Sequence, residues 1–159
     1  MAELGVNIST NNGFLPIRIK GPLKGGDVYT DGSVSSQFIT GLLIALPVVQ
    51  RDSIIFVDNL VSKPYIDLTI RILDKFGIKI NNNGYKKFEI KGRQKYKAGD
   101  FSVEGDWSGG AFLLVMAAIG GEAVVRNLDI HSAQADKAIF EVISLSGANI
   151  SVSKDSIIV

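Results

Sequence analysis

Two short stretches carry most of the chemistry this sequence offers. In Gly32-Ser-Val-Ser-Ser-Gln-Phe38, three hydroxyls and a carboxamide stand directly before an apolar run that reaches Leu46. In Leu60-Val-Ser-Lys-Pro-Tyr-Ile-Asp67, Ser62 stands before a second helical pattern, with Pro64 suited to its first turn. Small hydroxyl residues at a helix start have two uses. They cap the first-turn N–H groups, or they join those groups and the positive end of the helix dipole in holding an anion. On residue types alone, capping is the simpler account of Ser35, Ser36 and Ser62, and the ligand role stays open.

Other chemistry-bearing residues favour plain structural roles. His131 is the single histidine and the chain has no cysteine, so no metal site is expected. Lys86, Lys87, Lys91, Arg93, Lys95 and Lys97 crowd one segment. Such a run could serve nucleic acid or draw anions inward, but charged edge strands also discourage unwanted pairing, and that is the preferred reading. Lys63 is read as a solvated helix residue and Asp106 as a helix cap. The net charge of +1 names no partner, and 46% hydrophobic residues suit an ordinary globular core. No apolar run approaches the roughly 18 to 20 residues of a membrane span, and no export signal opens the chain. With no cysteine, a cytoplasmic location is expected.

The elements that must position these residues recur. Gly77-Ile-Lys-Ile-Asn-Asn-Asn-Gly84 with Phe88-Glu-Ile-Lys-Gly92 echoes Gly5-Val-Asn-Ile-Ser-Thr-Asn-Asn-Gly13 with Ile17-Arg-Ile-Lys-Gly21. A weaker copy begins Gly147-Ala-Asn-Ile-Ser151 and closes at Val159. The leading glycines lie 72 and 70 residues apart. Each copy reads as a left-handed helix stop followed by a hairpin.

Between stops the pattern predicts strand 27–31, helix 35–46 ended by Pro47, strand 53–58, and an amphipathic helix 62–76. The same order is predicted downstream as strand 101–104, helix 107–119, strand 123–128, helix 133–146 and a closing hairpin. The fold class is therefore α+β, built of β-α-β-α-β-β units, with two complete copies and the tail of a third. Residues 1–22 form that tail, 23–100 one repeat and 101–159 the next. A chain that opens on a tail reads as a piece of a longer array, with Met1 a cut edge. The first helix of each unit is apolar almost all round, from Ile39 to Leu46 and from Phe112 to Met116, so burial on several sides is expected, with helices inside and sheets outside.

Asp31-Gly-Ser-Val-Ser-Ser-Gln-Phe38, Leu60-Val-Ser-Lys-Pro-Tyr-Ile-Asp67 and Val103-Glu-Gly-Asp106 together resemble the middle of the 5-enolpyruvylshikimate-3-phosphate synthases, the 3-phosphoshikimate 1-carboxyvinyltransferase family. The third motif departs from the pattern, with Trp107, Gly109 and Gly110 where small hydroxyl residues are expected. The resemblance covers essentially the whole chain. It implies two lobes of three repeats each, with the end of one lobe and the start of the other present here. It implies transfer of the enolpyruvyl group of phosphoenolpyruvate to the 5-hydroxyl of shikimate 3-phosphate, with no metal and no organic cofactor. By the same resemblance, Ser35, Ser36 and Ser62 meet the phosphate of shikimate 3-phosphate, while Gln37 and Tyr65 meet its ring.

The family's acid-base and phosphoenolpyruvate-binding residues match nothing here, so no catalytic residue is nominated. Activity is not expected from this chain alone. The partners implied are the two substrates, with neither nucleic acid nor membrane. The full-length family enzyme is expected to be a monomer, whereas this piece is expected to cover its apolar helices by packing its units together or by self-association. A UDP-sugar enolpyruvyl transferase and an RNA-terminal phosphate cyclase are rival readings on related repeats. A non-enzymatic nucleic-acid-binding module built on the basic run is a third.

Overall fold

The three repeat glycines adopt one backbone conformation. In the computed structural model, which describes residues 2–159, Gly5, Gly77 and Gly147 have φ of 82°, 82° and 89°. Each N–H donates to the carbonyl three residues back, at 2.9, 2.9 and 3.1 Å. Ile78 and Ala148 then donate five residues back, to Leu73 and Ile143. This is the left-handed helix stop that the 72- and 70-residue spacing predicts, and a hairpin follows each time. Met1, read above as a cut edge, lies outside the described residues.

The chain divides into two compact units, residues 1–99 and 100–159. In the first, a hairpin of β1 (Asn7–Asn11) and β2 (Phe14–Lys20) precedes β3 (Asp27–Asp31), α1 (Gln37–Ala45), β4 (Ser53–Asp58) and α2 (Lys63–Lys75). The hairpin of β5 (Ile80–Asn83) and β6 (Lys87–Ile90) closes the unit. The sheet order is β3-β4-β6-β5, with β3 parallel to β4 and the other pairs antiparallel. Val28, Ile55, Val57, Phe88 and Ile90 point to the face that α1 and α2 cover with Ile39, Leu43, Ile66 and Leu73. The opposite face carries the stacked rings of Tyr29 and Phe56. Two layers therefore share one core.

The second unit repeats the plan on a smaller scale: α3 (Trp107–Gly120), β7 (Val124–Arg126), α4 (Ala138–Leu145), β8 (Ser151–Val152) and β9 (Ser156–Ile158). Its sheet order, β7-β9-β8, matches β4-β6-β5. A 3-10 turn, Ala135–Lys137, leads into α4, so the helix starts later than the expected 133. The strand expected at 101–104 does not form. Phe101 and Val103 alternate as strand residues should, yet both are exposed and neither joins the buried cluster of Trp107, Leu114, Val125, Leu128, Ile143 and Ile157. Alternation makes a strand only where a core lies beneath one face.

The apolar first helices are covered along one stripe, not on several sides. In α1, Ile39 and Leu43 are buried while Phe38 and Ile44 are exposed. In α3, Trp107, Leu114 and Ala117 are buried, but Phe112 and Ile119 are 80% and 82% exposed. One sheet can cover only one stripe of a helix.

Two glycine substitutions should act with opposite sign. Gly77→Ala forces an L residue into the left-handed region and should lower the unfolding free energy by about 1 kcal/mol. At Gly41, inside α1, an added Cβ meets nothing within 4 Å, so Gly41→Ala should raise it by about 0.5 to 1 kcal/mol. Urea unfolding followed by circular dichroism measures both.

Candidate functional site

The site begins with strand direction. Because β3 and β4 are parallel, with Asp31 opposite Asp58, the loops that start α1 and α2 leave the same edge of the sheet. Crevices outside the carboxyl ends of parallel strands are the usual ligand positions in α/β folds. Gly32 joins the two loops: its N–H donates to the Asp58 carbonyl at 2.8 Å, and its own carbonyl accepts from Val61 at 3.3 Å. A Cβ there would stand 2.9 Å from Leu60 Cα, so only glycine permits this approach. Asp31 Oδ1 accepts from the Ser33 N–H at 2.9 Å, and that bond is the main reason its carboxyl is held below the usual range.

The serines at the helix starts do not all cap. Ser35 Oγ accepts from the Gln37 N–H at 3.1 Å. Ser36, directly before α1, makes no side-chain cap bond, although it is buried. Ser62, directly before α2, makes none either and is held at φ 55°, ψ 43°. A non-glycine residue in that left-handed region carries backbone strain, which folds retain chiefly where the surroundings impose it.

All five residues singled out from the sequence, Ser35, Ser36, Gln37, Ser62 and Tyr65, line one open concavity of about 410 Å³. Thr40 and Thr69 line it as well, and both were missed in the sequence. A signal existed, since each lies four residues beyond a singled-out residue, Ser36 and Tyr65, on the same helix face. Leu68 and Ile72 supply an apolar side. No carboxylate, histidine, lysine or arginine is among the lining residues. Chemically, the concavity offers hydroxyls, a carboxamide and two helix N-termini. It can hold an anion by hydrogen bonds and dipoles, and it has no evident group for moving protons from carbon.

The second unit builds the same joint and caps its helix with side chains. The Gly105 N–H donates to the Asn127 carbonyl at 2.7 Å, as Gly32 does to Asp58. Here Asp106 is a true cap, accepting from the Ser108 and Gly109 N–H groups at 3.1 and 3.0 Å. Buried Gln134 accepts from the Trp107 N–H at 2.9 Å and donates to the Gly105 carbonyl at 2.9 Å. The Trp107 indole is buried and donates to Asp129 O. Side chains thus take first-turn N–H groups of α3, whereas Ser36 and Ser62 take none in the first unit.

The remaining sequence candidates have structural partners. Lys63 Nζ lies 5.3 Å from the centre of the Tyr85 ring. The Tyr85 hydroxyl donates to Asp67, which pushes its pKa up. In the basic run, Lys87 pairs with Glu89 and Lys91 with Asp52. Only Lys87 of the run lies in a strand, and that strand, β6, runs between β4 and β5 and not at the expected edge. The repeat order explains this, because the last strand of the hairpin that closes each unit pairs inward, β6 with β4 and β9 with β7. His131 donates its N–H to Asp129, and no three His, Cys, Asp or Glu side chains gather as a metal site among the described residues. No helix among them is long and apolar enough to cross a membrane.

Repeated α+β units, each with two helices and a closing hairpin, are the plan of an enolpyruvyl-transferase type of fold. A solved EPSP synthase from Acinetobacter baumannii superposes with a TM-score of 0.67 at 24% identity, over 98% of this chain and 37% of that one. The model of the family described as EPSP synthase (3-phosphoshikimate 1-carboxyvinyltransferase) matches residues 1–159, and the chain belongs to that family. A 3-phosphoshikimate 1-carboxyvinyltransferase of Clostridium novyi is 47% identical over 96% of this chain, and one of Buchnera aphidicola is 44% identical over 96%. The chain spans 35% and 36% of the length of those two relatives.

The two kinds of helix start should respond differently to mutation. Asp106→Ala removes a real cap and should destabilise the protein by about 1 kcal/mol. Ser36→Ala removes no cap bond and should leave the thermal midpoint within the scatter of parent measurements. Differential scanning calorimetry of both variants is the check.

Proposed function

We propose that this chain carries part of the shikimate 3-phosphate site of a 3-phosphoshikimate 1-carboxyvinyltransferase. One observation carries the reading: Ser35, Ser36, Gln37, Ser62 and Tyr65 line a single concavity, while Ser36 and Ser62 make no cap bond. In this reading the hydroxyls of Ser35, Ser36 and Ser62 and the two helix starts hold the phosphate, and Gln37 and Tyr65 hold the ring. Residues 23–100 then form a repeat that ends one lobe and 101–159 the first repeat of the other, with 1–22 the tail of a preceding repeat.

The whole enzyme's reaction is an addition followed by an elimination. A proton adds to the methylene carbon of phosphoenolpyruvate, the 5-hydroxyl attacks the cationic carbon and gives up its own proton, and loss of phosphate and a methyl proton restores the double bond. Binding of the phosphorylated sugar-like ring is what these residues supply. Oriented donors stabilise charge best where water is excluded, and the concavity is open, so binding here is preparation rather than catalysis. No cofactor enters, and the location proposed is the cytoplasm. The exposed apolar faces of α1 and α3 support self-association of the chain, which sedimentation velocity at rising concentration should reveal as a growing larger species.

Calorimetric titration with shikimate 3-phosphate tests the site. Ser36→Ala should weaken binding by about 1 to 3 kcal/mol, the range for a bond to a charged oxygen. A parent chain that binds a short RNA but not shikimate 3-phosphate would overturn the reading. Phosphate release from phosphoenolpyruvate in the presence of shikimate 3-phosphate should stay at background with this chain alone.

A further inference from the structure

The concavity lies between two helices, so any ligand that touches both depends on their spacing. Below it, Ile39, Leu43, Ile66 and Leu73 belong to one apolar cluster. Apolar packing holds helices together but is non-directional, and it tolerates small slides. One polar contact links the helices inside the lining itself. Thr40 Oγ1 of α1 lies 3.2 Å from Thr69 Oγ1 of α2, and Thr69 Oγ1 donates to the Tyr65 carbonyl at 2.8 Å.

Proton counting gives this contact a direction. A threonine hydroxyl has one hydrogen and two lone pairs. Thr69 spends its hydrogen on the Tyr65 carbonyl, so at the 3.2 Å contact Thr40 must be the donor. The chain then runs from the Thr40 hydroxyl through Thr69 to the backbone of Tyr65. It starts one turn below Ser36 and ends at a singled-out lining residue of the other helix. Serine and valine could each reproduce half of threonine at position 69: the hydroxyl or the shape.

We propose that Thr40 and Thr69 are positioning residues which set the gap between the starts of α1 and α2, and hence the fit of a phosphorylated ligand held by both. Binding groups must be held to about 0.5 Å of their working geometry, and a directional bond between the helices does this where packing alone does not. The inference rests on the reading of the concavity as a shikimate 3-phosphate site.

The test uses the complete chain and two readouts. Thr69→Val keeps the side-chain shape and removes both bonds, whereas Thr69→Ser keeps the hydroxyl. Titration with shikimate 3-phosphate should be about 3- to 10-fold weaker for Thr69→Val, the fold-change expected for one net hydrogen bond, and restored in Thr69→Ser. The ligand-free protein supplies the second readout by NMR: amide signals of Ser36, Gln37 and Phe38, on the other helix, should move in Thr69→Val and return in Thr69→Ser. Thr40→Val should weaken binding equally and, read across the gap at the amides of Ser62 and Lys63, shift the signals of the other helix, and it serves if Thr69→Val fails to fold. Unchanged affinity with unchanged amide signals in the valine variants overturns the proposal, as does a serine variant that behaves like valine. A parent chain that does not bind shikimate 3-phosphate removes the reading of the site instead, and the amide signals then decide by themselves whether the pair sets the gap.

Discussion

The parallel register of β3 and β4 is the constraint on which the rest of the first unit depends. Asp31 opposite Asp58 ends both strands at one level, and Gly32 then binds the two outgoing loops together. A Cβ at position 32 would collide with Leu60 Cα at 2.9 Å, so the approach is possible only for glycine. From that joint, both helices begin side by side and both dipoles point their positive ends at the same volume. The concavity is therefore a consequence of topology before it is a property of any side chain.

The two units show how one backbone plan serves opposite ends. Gly105 makes the same bond to Asn127 that Gly32 makes to Asp58. What differs is which groups satisfy the donors beyond it. In the second unit, Asp106 caps the helix, and Gln134 spans from Trp107 to Gly105. Buried polar groups are costly unless paired, and here Gln134 and the Trp107 N–H pair with each other. In the first unit, serines without cap bonds and a left-handed Ser62 face an open space. The two helix pairs thus differ in their side-chain caps: Asp106 and Gln134 bind first-turn N–H groups of α3, whereas Ser36 and Ser62 bind none at α1 and α2.

Burial follows the same logic of local completion. Each sheet covers one stripe of its helices, and the rest of α3, including Phe112, Met116 and Ile119, stays exposed. Exposed apolar groups clustered on one face signal a surface made to be covered. The chain spans about a third of the length of its relatives, and repeats of this kind bury their faces against neighbours.

The sequence by itself determined the repeat, its helix stops and its hairpins, because left-handed glycines and alternating strands are local properties that a short window records. Gly5, Gly77 and Gly147 needed no tertiary knowledge to place. It also showed that Ser35, Ser36 and Ser62 stand at helix starts, and the family motifs added Gln37 and Tyr65. Tertiary structure decided the rest. Whether Ser36 caps α1 depends on backbone angles at the joint, and no residue type reports them. That residues 101–104 form no strand depends on the absence of a core beneath Phe101 and Val103, a fact about neighbours. Lys87, the one residue of the basic run within a strand, lies on an inner one because β6 pairs with β4, a contact between distant segments. Thr40 and Thr69 meet only because two helices start from one sheet edge, and side chains 29 positions apart acquire a bond that neither stretch of sequence contains.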